Sequence, residues 1–287
     1  KMTQLRDLTW VTQKDTWGAM LNGLPHLETL WLDFRHYPTD TPWLGTSTLR
    51  TLTLCRPLHA SHVHTALSNM SQLTHLTIRG KLEALKLLLK PISAMHSLES
   101  FTLESMESLS YPNPNQNVSH LTDWIQILPA SLQSLRLEHV FCNQKLDWKG
   151  FYKFNQLTLL DLDHIGNHLW SDFNGLWSQL PTTLTSLTLK AKQMNAGWLS
   201  VLPDLPHLTC LSVFEKSPLT SGSLLEGFTI LYDKFPELMQ LERIIRSEVR
   251  EEWMMLQQYR KRLPLTFWAT HSLHPDKAAL KAKEEAL

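Results

Sequence analysis

The pattern L-x-x-L-x-L occurs nine times between residues 5 and 213, and such repetition restricts the chain to folds built by stacking copies of one unit. The copies are Leu5, Leu8, Trp10; Leu27, Leu30, Leu32; Leu49, Leu52, Leu54; Leu73, Leu76, Ile78; and Leu98, Phe101, Leu103. They continue as Leu132, Leu135, Leu137; Leu157, Leu160, Leu162; Leu184, Leu187, Leu189; and Leu208, Leu211, Val213. Successive first leucines stand 22, 22, 24, 25, 34, 25, 27 and 24 residues apart, so only the fifth step leaves the common length. The L-x-L alternation puts both apolar side chains on one face of a short strand, and the leucine three residues earlier enters the same core from the bend leading in. One unit cannot bury that face. Stacked units can, each leucine packing on its counterparts in the units on either side.

The remainder of each unit has to carry the chain back. "SHVHTALSNM", "KLEALKLLLKPISAM", "LTDWIQILP" and "GWLSVLPDLP" have helix-spaced apolar residues, often closed by proline before the next strand, and are read as helical returns. Trp17, Trp43, Trp124, Trp148, Trp170, Trp177 and Trp198 fall in these returns, where large rings fill the space behind the strands. Trp31 lies between Leu30 and Leu32, where alternation aims it out of the core.

On these nine units the chain, over residues 1–215, resembles the leucine-rich repeat family. The resemblance implies an α/β solenoid of horseshoe shape, with a parallel β-sheet on the concave face and helices and irregular returns on the convex one. Plant and bacterial members usually place asparagine three residues after the motif; here Gln13, Arg35, Pro57, Lys81, Met106, Val140, Ile165, Lys192 and Lys216 stand there, so no asparagine ladder exists. Irregular units of 22 to 27 residues with an "LP" lead-in are more similar to the repeats of F-box-type substrate receptors and, more distantly, ribonuclease inhibitor.

Residues 1–218 are therefore read as the repeats. The first unit opens without a polar cap, so an upstream domain or subunit is expected to cover it; in F-box receptors this is the F-box, which no segment here resembles. From Pro236 a long amphipathic helix is expected, carrying Leu238, Leu241, Ile245, Val249, Trp253, Leu256 and Tyr259. With "RLPLTFWAT" as a last strand, it makes residues 219–270 a C-terminal cap, followed by a charged tail over residues 271–287. The long fifth step holds residues 106–120, whose two prolines and three asparagines suit a surface loop.

Composition narrows the function. Lys plus Arg and Asp plus Glu both number 27, so no net field invites nucleic acid or an anionic membrane surface. Cys55, Cys142 and Cys210 are too few and too widely spaced for a disulfide framework or a metal knuckle, and no apolar stretch is long enough to span a membrane. Free thiols in the cytosol or nucleus are expected. "HASHVH" places His59, His62 and His64 close together, yet H-x-x-H-x-H matches no familiar metal spacing, and no G-x-S-x-G, Walker or dinucleotide motif occurs. No cofactor and no catalysis are expected.

Residues between and just after the paired leucines define the concave side. Its first half is threonine-rich around Trp31 and Asp33, with Arg79 beyond. Units five to seven gather Glu104, Glu138, Asp161 and Asp163 around Arg136, with His139 and His164 one step further. Eight strand intervals of roughly 4.8 Å give an arc near 40 Å, the scale of a protein interface. A partner protein, with a basic segment opposite the carboxylates, is the expected ligand. The resemblance implies the substrate-binding part of an F-box-type ubiquitin ligase receptor; an inhibitor or scaffold like ribonuclease inhibitor, or a bacterial effector, is the alternative.

Overall fold

In a computed structural model, residues 4–12, 17–34, 47–56, 60–80, 88–105, 125–138, 148–163, 174–191, 202–215, 235 and 240–245 are described. They form a ten-stranded sheet in which strand order equals chain order and every neighbouring pair is parallel. The strands are β1 (Asp7–Thr12), β2 (Thr29–Phe34), β3 (Thr51–Cys55), β4 (His75–Gly80), β5 (Ser100–Ser105), β6 (Ser134–Glu138), β7 (Leu159–Asp163), β8 (Ser186–Ala191), β9 (Cys210–Glu215) and β10 (Gln240–Ile245). Short helices occupy the returns: α1 (Trp17–Asn22), α2 (Ala60–Ser68), α3 (Leu89–Ser93), a 3-10 helix at Trp148–Lys153 and α4 (Asn174–Trp177). A single open parallel sheet assembled from repeating strand-and-return units is an α/β solenoid-like architecture.

The register follows the motif without a slip. Leu30, Leu52, Leu76, Phe101, Leu135, Leu160, Leu187 and Leu211 face one another from strand to strand, as do Leu32, Leu54, Ile78, Leu103, Leu137, Leu162 and Leu189 in the next column. All of these are at most 1% exposed, and the lead-in leucines Leu27, Leu49, Leu73, Leu98, Leu132, Leu157, Leu184 and Leu208 are completely buried. Each fully buried leucine contributes roughly 1.5–3 kcal/mol. At β1, which has one neighbour among the described residues, Leu8 and Trp10 are only partly buried.

The lead-in bend supplies a second apolar row. Leu24, Met70, Met95, Phe154 and Leu205 are buried, and the carbonyl of each accepts a bond from the N–H of the motif's first leucine, at 3.0–3.3 Å. Directly after that leucine, two successive N–H groups donate to one carbonyl of the previous unit. Thr209 and Cys210 thus reach the Thr185 carbonyl at 2.9 and 3.0 Å, while Thr185 and Ser186 reach that of Thr158 at 2.8 and 3.0 Å. Hydroxyl groups reinforce this ladder. Thr74, Thr158, Thr185 and Thr209 donate from Oγ1 to the same carbonyls at 3.0–3.1 Å. Thr48, Ser131 and Thr183, just before the leucine, donate to the Leu27, Leu98 and Leu157 carbonyls at 2.7–2.9 Å. Unit-to-unit joints are thereby tied through main-chain oxygens, which any Ser or Thr at the bend can reach.

Behind the strands, α2 forms where "SHVHTALSNM" is expected to be helical, burying Val63, Ala66 and Leu67. The expected tryptophan filling holds at Trp148 and Trp177, each 3% exposed. Trp148 packs tilted against Phe151, and Phe151 edge-to-face on Phe154, with ring centroids 5.4 and 5.5 Å apart. Gly150 allows this 3-10 helix its close approach: a Cβ there would lie 2.9 Å from Ile125 Cγ2.

Where a helix is expected from Pro236, residues 240–245 form β10, with Leu241 in register with Leu211 and Arg243 with Val213. Parallel pairing to β9 satisfies main-chain groups that a helix would satisfy internally, and spacing of three between Leu238 and Leu241 fits a strand lead-in as well as a helical turn. Phe235, 2% exposed, occupies the sequence position of Leu205 in the unit before. Residues 106–120, 263–267 and 271–287 lie outside the described residues. No helix of the described residues is long and apolar enough to cross a membrane.

Candidate functional site

The sheet face turned away from the leucines is organised by register into columns. The residue between the paired leucines forms one: Thr9, Trp31, Thr53, Thr77, Thr102, Arg136, Asp161, Thr188 and Ser212 stand side by side from β1 to β9. Trp31 is half-buried and flanked by Thr9 and Thr53 in register, so it sits among hydroxyl-bearing neighbours as expected. Arg136 is exposed and directly opposite the half-buried Asp161. The next column, just after the pair, runs Val11, Asp33, Cys55, Arg79, Glu104, Glu138, Asp163 and Lys190.

Four charged groups in this second column and beside it are held by one another. Asp33, expected to project toward a partner, is instead 4% exposed and lies beneath Arg56. Arg56 Nε donates to Asp33 Oδ1 at 2.8 Å and Nη2 to Oδ1 at 2.6 Å, with a further bond from Nη2 to Oδ2. Such a forked pair neutralises a carboxylate that would otherwise be costly to bury. Arg56 follows the last residue of β3, has a φ of 57°, and donates its own N–H to the Arg79 carbonyl at 2.6 Å. Across β4 and β5, Arg79 Nε meets Glu104 Oε2 at 2.7 Å. The buried thiol of Cys55 lies among these charges. Burial pushes its pKa up; Arg79 pulls it down, Asp33 pushes it up, Arg56 pulls it down and Glu104 pushes it up.

Glu104 is thus committed to Arg79, whereas Glu138 is in register with Glu104 on one side and Asp163 on the other. Parallel strands hold these backbone positions roughly 4.8 Å apart, so three acidic positions follow one another along the column. The carboxylates expected to gather in units five to seven therefore occupy three consecutive strands, with Arg136 and Asp161 one column away. His139 and His164 lie outside the described residues, as do the side chains of Asp163 and Lys190.

Of the histidine cluster, His59 and the His62 side chain lie outside the described residues, while His64 is half-buried on α2. No group of three or more His, Cys, Asp or Glu placed to hold a metal ion occurs among the described residues. Cys55 and Cys210 are free thiols. Arg56 is the residue that periodicity does not reveal, because it stands outside the L-x-L alternation and reaches back a whole unit to Asp33. No protein-family model matches the sequence, and no curated protein matches it either.

Proposed function

We propose that this chain is a leucine-rich-repeat horseshoe that recognises a protein partner on its concave face and performs no catalysis. The observation that carries the reading is a sheet of ten parallel strands whose columns away from the leucines run from a hydroxyl-rich half around Trp31 to a half where the Glu138 and Asp163 positions follow the Arg79–Glu104 pair. Nine intervals of roughly 4.8 Å span about 43 Å, and with about 15 Å of each strand available the area approaches the roughly 800 Å² per partner of an ordinary complex. A basic partner segment would meet complementary charge at Glu138 and Asp163 and fix register on the face.

By its resemblance the chain would be the substrate-binding part of an F-box-type ubiquitin ligase receptor, working in cytosol or nucleus. An inhibitor or scaffold like ribonuclease inhibitor, or a bacterial effector, uses the same face without ligase chemistry. The test is affinity capture with wild type against the double reversal Glu138→Lys/Asp163→Lys, with Asp204→Lys, an exposed acid off this face, as control. Partners captured by wild type and by the control, and lost with the double reversal at an unchanged melting temperature, support the reading; undiminished capture by the double reversal refutes it. Ubiquitin ligase subunits among the captured proteins distinguish the first version from the second.

A further inference from the structure

Among the described residues, four threonine hydroxyls reach the bend carbonyls from the position after the motif's first leucine, and only that of Thr74 also meets a ring. Thr74 Oγ1 lies 3.1 Å from the Arg50 carbonyl and 2.8 Å from His75 Nδ1. A hydroxyl has one proton to give, and a carbonyl oxygen only accepts. Thr158, Thr185 and Thr209 give theirs to the equivalent carbonyls at 3.0–3.1 Å. With the Thr74 proton spent in the same way, His75 Nδ1–H is the donor to Oγ1, and the neutral ring carries its lone pair on Nε2. His75 opens β4 directly before the buried Leu76, so its exposed ring stands on the face turned away from the leucines, between Thr51 on β3 and Ser100 on β5. Thr53, Thr77 and Thr102 stand side by side in the next column, and all five of these hydroxyl-bearing residues are half-buried. Charges at the two ends of the three strands balance. Arg50 and Glu99 flank Thr74 along the bend, and Arg79 pairs with Glu104 at the other end.

We infer that His75 Nε2 accepts a hydrogen bond from a side-chain carboxamide of the partner protein, an asparagine or glutamine, whose oxygen is met by the hydroxyls around the ring. An outward lone pair repels a carboxylate or phosphoryl oxygen, which also only accepts. An ammonium or guanidinium group would lose hydration here with no net countercharge to offset it. A neutral N–H donor meets neither obstacle. A carboxamide brings an acceptor as well, which a threonine or serine hydroxyl can serve, so both halves of the group are answered on one patch. The inference rests on the reading of this face as a partner surface, but it concerns β3 to β5, whereas the basic segment is assigned to Glu138 on β6 and Asp163 on β7.

The first measurement needs no partner. Long-range ¹H–¹⁵N spectra of the imidazoles, recorded in alkaline solution, tell which ring nitrogen carries the proton. The expected result is Nδ1–H at His75 in wild type and a shift toward Nε2–H in Thr74→Val, a variant that leaves the Arg50 carbonyl the N–H groups of residues 74 and 75. The second measurement uses pools of short synthetic peptides, each with asparagine, glutamine, lysine, aspartate or serine fixed among randomised neighbours, and reads their retention on immobilised protein. Wild type should retain the asparagine and glutamine pools above the aspartate and serine pools. His75→Phe, which keeps a ring and loses the acceptor, should retain them about five-fold less, the worth of one net hydrogen bond. Glu138→Lys/Asp163→Lys should retain them as wild type does and release the lysine pool instead, so the two readings fail separately. Nε2–H at His75 in wild type, carboxamide pools held no better than the aspartate pool, or equal retention by wild type and His75→Phe would overturn the inference and leave His75 as a cap on the Thr74 hydroxyl.

Discussion

Leu135→Ala tests the register from which every other assignment descends. Leu135 is completely buried on β6, with Phe101 on β5 and Leu160 on β7 in register on either side, both also completely buried. Deleting its outer carbons forfeits about 2.4 kcal/mol of transfer free energy at roughly 0.8 kcal/mol per methylene-sized group. The surroundings cannot close over the gap, because ladder hydrogen bonds on both sides hold the strands roughly 4.8 Å apart. A cavity that persists adds up to about 2 kcal/mol, so the expected cost is about 4 kcal/mol. Glu138, three residues on and on the opposite face, should cost less than about 0.5 kcal/mol on truncation to alanine. Urea denaturation followed by far-ultraviolet circular dichroism reads the difference: with a slope of 1–3 kcal/mol per molar, about 4 kcal/mol moves the midpoint by more than about 1 M. Because each unit contacts only its neighbours, exchange protection should fall first in β5, β6 and β7. Equal midpoints for Leu135→Ala and Glu138→Ala would refute the facing of β6 and, with it, both columns of the candidate site.

Thr185→Val removes the hydroxyl bond to the Thr158 carbonyl, but that oxygen still accepts the N–H groups of Thr185 and Ser186; thermal or urea unfolding should show a loss below about 1 kcal/mol, and a larger loss would give the hydroxyl ladder more weight than its geometry supports. Burial lowers the Lys153 pKa to about 8, so the unfolded chain binds more protons than the folded one between about 8 and the ordinary 10.5. Wild type should therefore gain stability relative to Lys153→Met as pH rises through that window, and a constant difference measured on both sides of it would contradict the burial. In the 287-residue chain, amide exchange should be faster in β1, where Leu8 and Trp10 are partly buried, than in β8, where Leu187 and Leu189 are at most 1% exposed. Equal protection, read by mass spectrometry, would show that the two strands are equally covered.

What was legible in the sequence is what period carries. Nine strands, their faces and their mutual register follow from L-x-x-L-x-L because a slip of one residue would turn every leucine outward, leaving a single acceptable alignment. The tenth was not legible because Arg243 stands where the motif needs an apolar residue, while Leu238, Leu241 and Ile245 also fit a helical face. Only pairing to β9 distinguishes the two, and pairing is a property of two segments, not of one. The same limit applies to the site. Column membership of Trp31, Glu104, Arg136, Glu138 and Asp161 is periodic and could be read; the burial of Asp33 could not, since it depends on Arg56 leaving the strand with a positive φ and reaching back 23 residues. A charge on a repeat face is thus free for a partner only when no neighbouring unit has already taken it. By that criterion Asp33 belongs to the framework, while Glu138, in register with Glu104 and Asp163, is a position at which we propose that a partner is met.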